Sequence, residues 1–318
     1  MKILVVGGTG LIGSHLKNRL REEGVTVNLL SRKKSKENNV FLWDIKNNYI
    51  DLKAFKEVSG IINLTGANIA NGKWTSKRKR ILYDSRILST RFLFETVNKN
   101  NILIDFFISS SAIGYYGTKK SSLIFKEDDR CGVDFLAKLC VDWEKEAQRF
   151  NELNIRTVLI RTGIVLTKYQ GALEKIKLPI KFGILPLIGT GKQSFPWIHI
   201  DDLIAIISNS INNKKYIGPY NAVAPVAYTS YLELNTKIAE LLDKRVLRVK
   251  IPTILLNFAF GKLSETLTNG NQIAADKLIA IGFNFKYNFI IIILNNSNRL
   301  SGIKVRLTCF SSYILRLS

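Results

Sequence analysis

Apolar and polar positions follow a repeating alternation through the first half of the chain. Short runs rich in Val, Ile and Leu give way to longer segments whose apolar residues recur three or four apart. The opening run, residues 3–6, passes through glycines into a helical pattern with Ile12, Leu16 and Leu20 on one face. Further strands are predicted at 25–30, at 40–43 with Asp44 at its end, and at 60–64, 104–109 and 155–160. Between them the spacing predicts a short helix over 52–58 and a long one over 76–98, where Ile81, Ser85, Leu88 and Phe92 share a face. Another helix covers 134–151, with Leu136, Leu139, Cys140, Trp143, Ala147 and Phe150 on its apolar side. Strands alternating with helices imply βαβ units, hence an α/β protein with a Rossmann-type, doubly wound parallel sheet.

After about Thr162 the pattern changes. Gly171, Pro179, Gly183, Pro186, Gly189, Gly191 and Pro196 interrupt the periodicity and predict a loop-rich lobe. A helix opens at His199-Ile-Asp-Asp-Leu203 with Asp201 or Asp202 as its cap, and a strand near 220–223 and a helix over 232–242 follow. The expected division is a nucleotide-binding domain over 1–165, with a late strand from about 218–224, a smaller C-terminal substrate lobe over 166–287, and a tail over 288–318. No acidic residue follows Asp276, and the run at 289–294 suits a buried strand but is far short of the ~20 residues of a membrane span. The tail is therefore read as divergent and without a functional role.

Composition narrows the classes. A chain of 318 residues, 46% hydrophobic and with a mean hydropathy of +0.06, can bury a large core. Three scattered cysteines and two histidines argue against a disulfide framework and a metal site, and place the protein in the cytoplasm. The net charge of +22 could attract nucleic acid or an anionic membrane. The basic clusters at 32–36 and 73–80 carry only Trp74 as an aromatic platform, which argues against nucleic acid. A small-molecule substrate is the expected partner, with no membrane; the oligomeric state is left open.

The candidate chemistry starts at Gly7-Gly-Thr-Gly-Leu-Ile-Gly13, between the first strand and the first helix. Gly8, Gly10 and Gly13 satisfy G-x-G-x-x-G, and Gly7, Gly10 and Gly13 repeat every three residues. A tight turn, close backbone approach to a pyrophosphate, and close helix–sheet packing each require glycine. The helix beginning near Leu11 aims its free N–H groups and positive dipole end at the phosphates. About 20 residues on, an acid would hold the ribose of NAD. Ser31-Arg32-Lys33-Lys34 stands there instead, and an Arg at that place pairs with the 2′-phosphate of NADP. Asp44 suits the adenine amino group, and Asn63-Leu64-Thr65-Gly66 should run beside the cofactor.

These motifs resemble the extended short-chain dehydrogenase/reductase superfamily, and within it an NADP-binding branch of epimerase family proteins. The resemblance rests also on Asp84-Ser-Arg86, Ser110-Ser-Ala-Ile-Gly-Tyr-Tyr-Gly117, Trp143-Glu144, Arg161-Thr-Gly-Ile-Val-Leu166, Gly189-Thr-Gly-Lys-Gln193 and Pro196-Trp-Ile-His-Ile-Asp-Asp-Leu203, and runs to about residue 287. It implies that Gly10, Leu11 and Ile12 contact the pyrophosphate and that Ser31 and Arg32 contact the 2′-phosphate. It further implies cofactor contacts from Leu64, Thr65 and Arg86, with Val165 near the nicotinamide.

In that superfamily a Ser polarises the carbonyl and a Tyr exchanges the proton, aided by a Lys one helical turn later. Ser111 is in place. On the helix where Tyr-x-x-x-Lys should lie, the chain has Phe135-Leu-Ala-Lys-Leu139. Tyr115 and Tyr116, just past the serine, are the candidate proton donors. An NADP(H)-dependent oxidoreductase or epimerase-like enzyme is expected, on a small carbonyl or sugar-nucleotide-like substrate. The alternative is a non-catalytic NADP(H)-binding sensor or interaction protein.

Overall fold

The structure, a computed structural model, describes residues 1–168, 170–225, 230–252, 254, 264 and 268–287; the expected tail at 288–318 lies outside the described residues. Strands run in chain order as β1 (Lys2–Val6), β2 (Thr26–Ser31), β3 (Val40–Asp44), β4 (Tyr49–Ile50), β5 (Gly60–Asn63), β6 (Phe106–Ala112) and β7 (Ile124–Phe125). After them come β8 (Arg156–Thr162), β9 (Ile164–Leu166), β10 (Ile184–Ile188), β11 (Trp197–His199), β12 (Gly218–Ala222), β13 (Leu247–Ile251) and β14 (Gln272–Ile273). The helices are α1 (Leu11–Glu22), α2 (Ser76–Lys99), α3 (Phe135–Gln148), α4 (Gly171–Lys181), α5 (Ile200–Asn212), α6 (Tyr231–Leu241) and α7 (Asp276–Ala280).

One eight-stranded sheet, in the order β12-β8-β6-β5-β1-β2-β3-β4, organises the molecule. All its pairs are parallel except β3 with β4. The order reverses between β1 and β5, so a crevice opens past their carboxyl ends, at Gly7 and Leu64. One face of the sheet buries Ile3, Val5, Ile108 and Val158 against Leu16 and Leu20 of α1 and Leu203 and Ile207 of α5. The other buries Leu4, Ile61, Phe107 and Leu159 against Leu93 and Val97 of α2 and Ala147 of α3. Buried on both faces, these strands read as continuous apolar runs, as parallel strands do.

Three expectations are corrected. On α2, Ile81 and Leu88 are 43% and 38% exposed, whereas Leu82, Ile87, Ser89, Thr90 and Leu93 are buried. Paired apolar residues at 81/82 and 87/88 fit two neighbouring stripes, and the chosen one carries hydroxyls that bond to the end of β5: Asn63 Nδ2 donates to Thr90 Oγ1 at 2.9 Å. On α5 the cap is His199, whose Nδ1 accepts from the Asp201 N–H at 3.2 Å. Asp202 is occupied elsewhere, accepting the N–H groups of Lys286 and Tyr287 at 2.9 and 3.0 Å. Third, Pro179 interrupts nothing. It sits in the last turn of α4, where it removes a single helical bond, and the N–H groups of Phe182 and Gly183 still close that end.

The segment beyond β8 has its own core of Leu166, Leu173, Ile180, Trp197, Leu234, Ile238 and Tyr287. It holds the two-stranded pairs β9–β11 and β10–β13. A full capping box starts α6, with Ser230 and Glu233 bonding each other's backbone N–H.

Candidate active site at the carboxyl edge of the sheet

The glycine turn is shaped by backbone contacts. Gly7 adopts φ +83°, and a Cβ there would lie 2.7 Å from the Leu64 carbonyl oxygen; one on Gly13 would lie 2.5 Å from the Gly8 Cα. Gly10 is different. Only the Gly7 oxygen, at 3.5 Å, would meet its Cβ, so its surface is open. Gly10 also caps α1 without a side chain, which leaves the helix start, with the N–H groups of Leu11 and Ile12, to an outside acceptor. Across the cleft, a Cβ on Gly171 would lie 3.5 Å from Leu11 Cδ2 and 3.9 Å from the Val165 oxygen. The start of α4, which like α1 has no side-chain cap, thus packs beside Leu11 and Val165.

Ser31 ends β2 one residue beyond the Val6–Leu30 pair, beside the glycine turn. Its Oγ accepts the Lys33 N–H at 3.0 Å, and Arg32 projects into solvent. Asp44 accepts from the N–H of Lys46 and from the backbone and side chain of Asn47, and Asn47 chiefly holds its carboxyl below the ordinary value. Its two oxygens thus already serve their own turn. Thr65 is buried, with Oγ1 held by Asn63 Oδ1 at 2.6 Å and Ser89 Oγ at 2.9 Å, so the 64–66 segment offers the cleft mainly backbone and Leu64. Arg86 closes this side. It donates to the carbonyls of Leu82 and Ala67, each at 3.1 Å, and lies 5.2 Å from the Trp143 ring. Burial lowers its pKa, and among the described residues no carboxylate is ion-paired with it.

Ser111, Tyr115 and Tyr116 meet in a second cluster at the ends of β6 and β8. Ser111 is 3% exposed and donates its hydroxyl to Glu144 Oε1 at 2.6 Å. Arg161 grips the same carboxylate through Nε and Nη2, each at 2.8 Å. Its Nη1 donates to Tyr116 Oη at 3.0 Å and to the Glu127 carbonyl at 2.9 Å. Tyr116 in turn donates to Asn221 Oδ1 on β12, at 2.7 Å. Burial pushes the Tyr116 phenol up to about 12 and opposes the charge on Arg161, but Glu144 more than offsets it and holds the guanidinium charged. Tyr115 is half-buried, with its ring centroid 3.5 Å from the guanidinium carbon.

At the start of α3, Phe135 packs edge-on against Trp74 at 5.6 Å, with the Lys79 ammonium 4.9 Å from its ring, and Leu139 is buried below. No hydroxyl or amine occupies these two positions. Burial pushes the Cys140 thiol up to about 12, so it is an inert core residue. His199 stacks on Tyr287 at 3.6 Å, and burial lowers its pKa to about 4. Among the described residues, no three His, Cys, Asp or Glu side chains are grouped to hold a metal, and no helix is long and apolar enough to cross a membrane.

The family model described as epimerase, NAD dependent epimerase/dehydratase family, matches residues 3–223. The chain belongs to that family. An epimerase family protein of Staphylococcus epidermidis, SERP0438, is 32% identical over 293 residues, covering 90% of this chain and 95% of the relative. Staphylococcus aureus SAR0825, also an epimerase family protein, is 32% identical over 292 residues with the same coverage. Among solved structures, human epimerase family protein SDR39U1 with NADPH superposes with a TM-score of 0.82 at 27% identity, covering 92% of this chain and 98% of that one. The UDP-glucuronic acid 4-epimerase of Bacillus cereus, in complex with UDP-glucuronic acid and NAD, shares the fold, with a TM-score of 0.74 at 19% identity and coverage of 93% and 97%.

Within this epimerase/dehydratase chain, sequence reasoning assigned no role to Glu144 or Arg161, although both stood in quoted motifs. A signal was present. Glu144 lies one turn after Cys140 on the apolar stripe of a helix, and Arg161 interrupts an apolar strand. Opposite charges in two segments that must both be buried call for pairing.

Proposed function

We propose that the protein is an NADP(H)-dependent oxidoreductase or epimerase-like enzyme, acting on a small carbonyl or sugar-nucleotide-like substrate. The observation that carries this reading is the cradle: a glycine turn open at Gly10, an uncapped α1 start behind it, and Arg32 rather than an acid at the end of β2. Those residues fit a dinucleotide. The helix start would hold the pyrophosphate with Leu11 and Ile12, Ser31 and Arg32 the 2′-phosphate, Leu64, Thr65 and Arg86 the middle, and Val165 the nicotinamide end. The NADPH in the SDR39U1 structure supports the phosphorylated form of the cofactor. When bound, the cofactor would supply the two electrons for carbonyl reduction. The 166–287 lobe would close over the substrate, and the free thiols of exposed Cys131 and buried Cys140 suit a cytoplasmic setting.

Two features favour a second reading, a binding protein without turnover. Phe135 and Leu139 stand where Tyr and Lys are expected, and the Ser111 hydroxyl is committed to Glu144. Titration with NADPH and NADH, followed by a carbonyl screen that monitors NADPH oxidation, separates the two. Preferential NADPH binding with turnover supports the enzyme; tight binding with no oxidation on any carbonyl class supports the sensor. Equal or absent binding of both cofactors overturns the NADP assignment.

A further inference from the structure

Two tyrosines share the corner at the ends of β6 and β8, and their surroundings give them different chemistry. Resting on the reductase reading above, we infer that Tyr115 is the catalytic proton donor. Arg161, clamped by Glu144, is the positioning cation that stands in for the absent lysine.

Tyr116 is committed. It is 3% exposed, its hydroxyl donates to Asn221, and its oxygen accepts from Arg161. Tyr115 precedes it in a short 3₁₀ turn, meets it edge-on at 5.3 Å, and is half-buried rather than enclosed. The turn is tied down by its own backbone, the Tyr115 carbonyl accepting the Gly132 N–H at 2.9 Å. Beneath the ring lies the guanidinium, its plane fixed by four hydrogen bonds to Glu144, Tyr116 and the Glu127 carbonyl. A lysine ammonium, a point charge on a flexible stem, could not be held flat in this way. The pair is deeply placed, with Arg161 3% and Glu144 6% exposed, so its field is poorly screened.

The step balances as follows. The Tyr115 O–H bond would break and its proton would form an O–H bond with the substrate carbonyl oxygen, while the carbonyl carbon would form a C–H bond with a hydride, one hydrogen with two electrons, released from a C–H bond of the dihydronicotinamide reductant, which is thereby oxidised. The electron pair of the broken bond stays on the phenolate, stabilised by Arg161 until water returns a proton. Burial keeps the Tyr115 phenol above its ordinary value, with Arg161 pulling it down and Glu144 pushing it up. At neutral pH the residue therefore holds the proton it is to give.

The test is a pH titration of the full chain carrying ¹³Cζ-labelled tyrosine, with the Tyr115 resonance assigned by Tyr115→Phe and read with and without NADPH. The Tyr115 midpoint should rise by about one pH unit in Arg161→Met and fall in Glu144→Gln. If Arg161→Met strands Glu144 and does not fold, the double variant Glu144→Gln/Arg161→Met removes both charges and should still raise the midpoint. A Tyr115 resonance indifferent to both positions overturns the positioning role. With 9,10-phenanthrenequinone as the probe carbonyl, Tyr115→Phe should lose about 100-fold in kcat, with KM and NADPH affinity within about twofold of wild type. A Tyr115→Phe variant as fast as wild type overturns the inference and leaves the reductase reading standing. A wild-type protein that binds NADPH but reduces no carbonyl overturns that reading, and the donor role with it.

Discussion

The dinucleotide cradle and the β6–β8 corner lie on the same edge of one sheet, yet they are built in opposite ways. The cradle is made of backbone: glycines that permit close approach, an uncapped helix start, and one exposed Arg at a strand end. The corner is made of side chains from distant segments, with Ser111, Glu144 and Arg161 joined in one buried network that extends to Asn221. A backbone site tolerates almost any neighbour but no added atom at Gly7 or Gly13. A side-chain site depends on each partner keeping its charge. The two should therefore fail differently when changed.

The largest effect is expected at Gly13→Val. Its side chain would drive into Gly8, and NADPH binding measured by fluorescence titration should be lost; retained affinity would break the idea that the turn is sterically closed. Next comes Arg161→Ala in the corner, which strands a buried carboxylate and should cost about 3–5 kcal/mol in urea unfolding. A cost near zero would mean that Glu144 finds water and that the network is not closed. Arg32→Ala, on the exposed rim of the cradle, should leave stability unchanged and weaken NADPH by about 10–100-fold, equivalent to about 1.4–2.8 kcal/mol. NADH should change little, and equal losses for both cofactors would remove the 2′-phosphate assignment.

The smallest effect lies in the lobe, at His199. Burial lowers its pKa to about 4, with Lys286 and His15 acting in the same direction and Asp201 opposing them. The unfolded chain then binds the extra proton first. The stabilisation from neutral His199 is complete above about pH 6.5 and is lost as pH falls through about 4. About 1–2 kcal/mol is expected, after allowing for the solvent that still screens the ring. Unfolding of His199→Gln should lack that slope, and an identical pH profile would show the ring to be protonated without penalty.

Legibility followed the same division. The strand–helix alternation through β8 was readable, apart from the two-residue strands β4 and β7, because each longer element repeats an apolar period that local sequence carries. The Gly7–Gly13 turn was readable because its function needs a residue type rather than a partner. Face selection on α2 was not readable, since Ile81/Leu82 and Ile87/Leu88 offered two equivalent stripes and the hydroxyls of Ser89 and Thr90 decided between them through Asn63 and Thr65. The α5 cap was misread for a similar reason. Asp202 was claimed by the backbone of residues 286 and 287, more than eighty positions away.

By itself the sequence determined the parallel α/β architecture, the glycine turn, the basic residue at the end of β2 and the absence of Tyr-x-x-x-Lys on α3. Each of these is local, resting on a period, a spacing or a single residue. Only the tertiary structure decided that Glu144 and Arg161, seventeen residues apart, form a buried pair, that this pair holds Ser111 and Tyr116, and that the guanidinium lies nearer the Tyr115 ring, at 3.5 Å, than the Tyr116 ring, at 5.3 Å. Burying a charge demands a partner without naming it, and the sheet order that sets β6 beside β8 supplies the name.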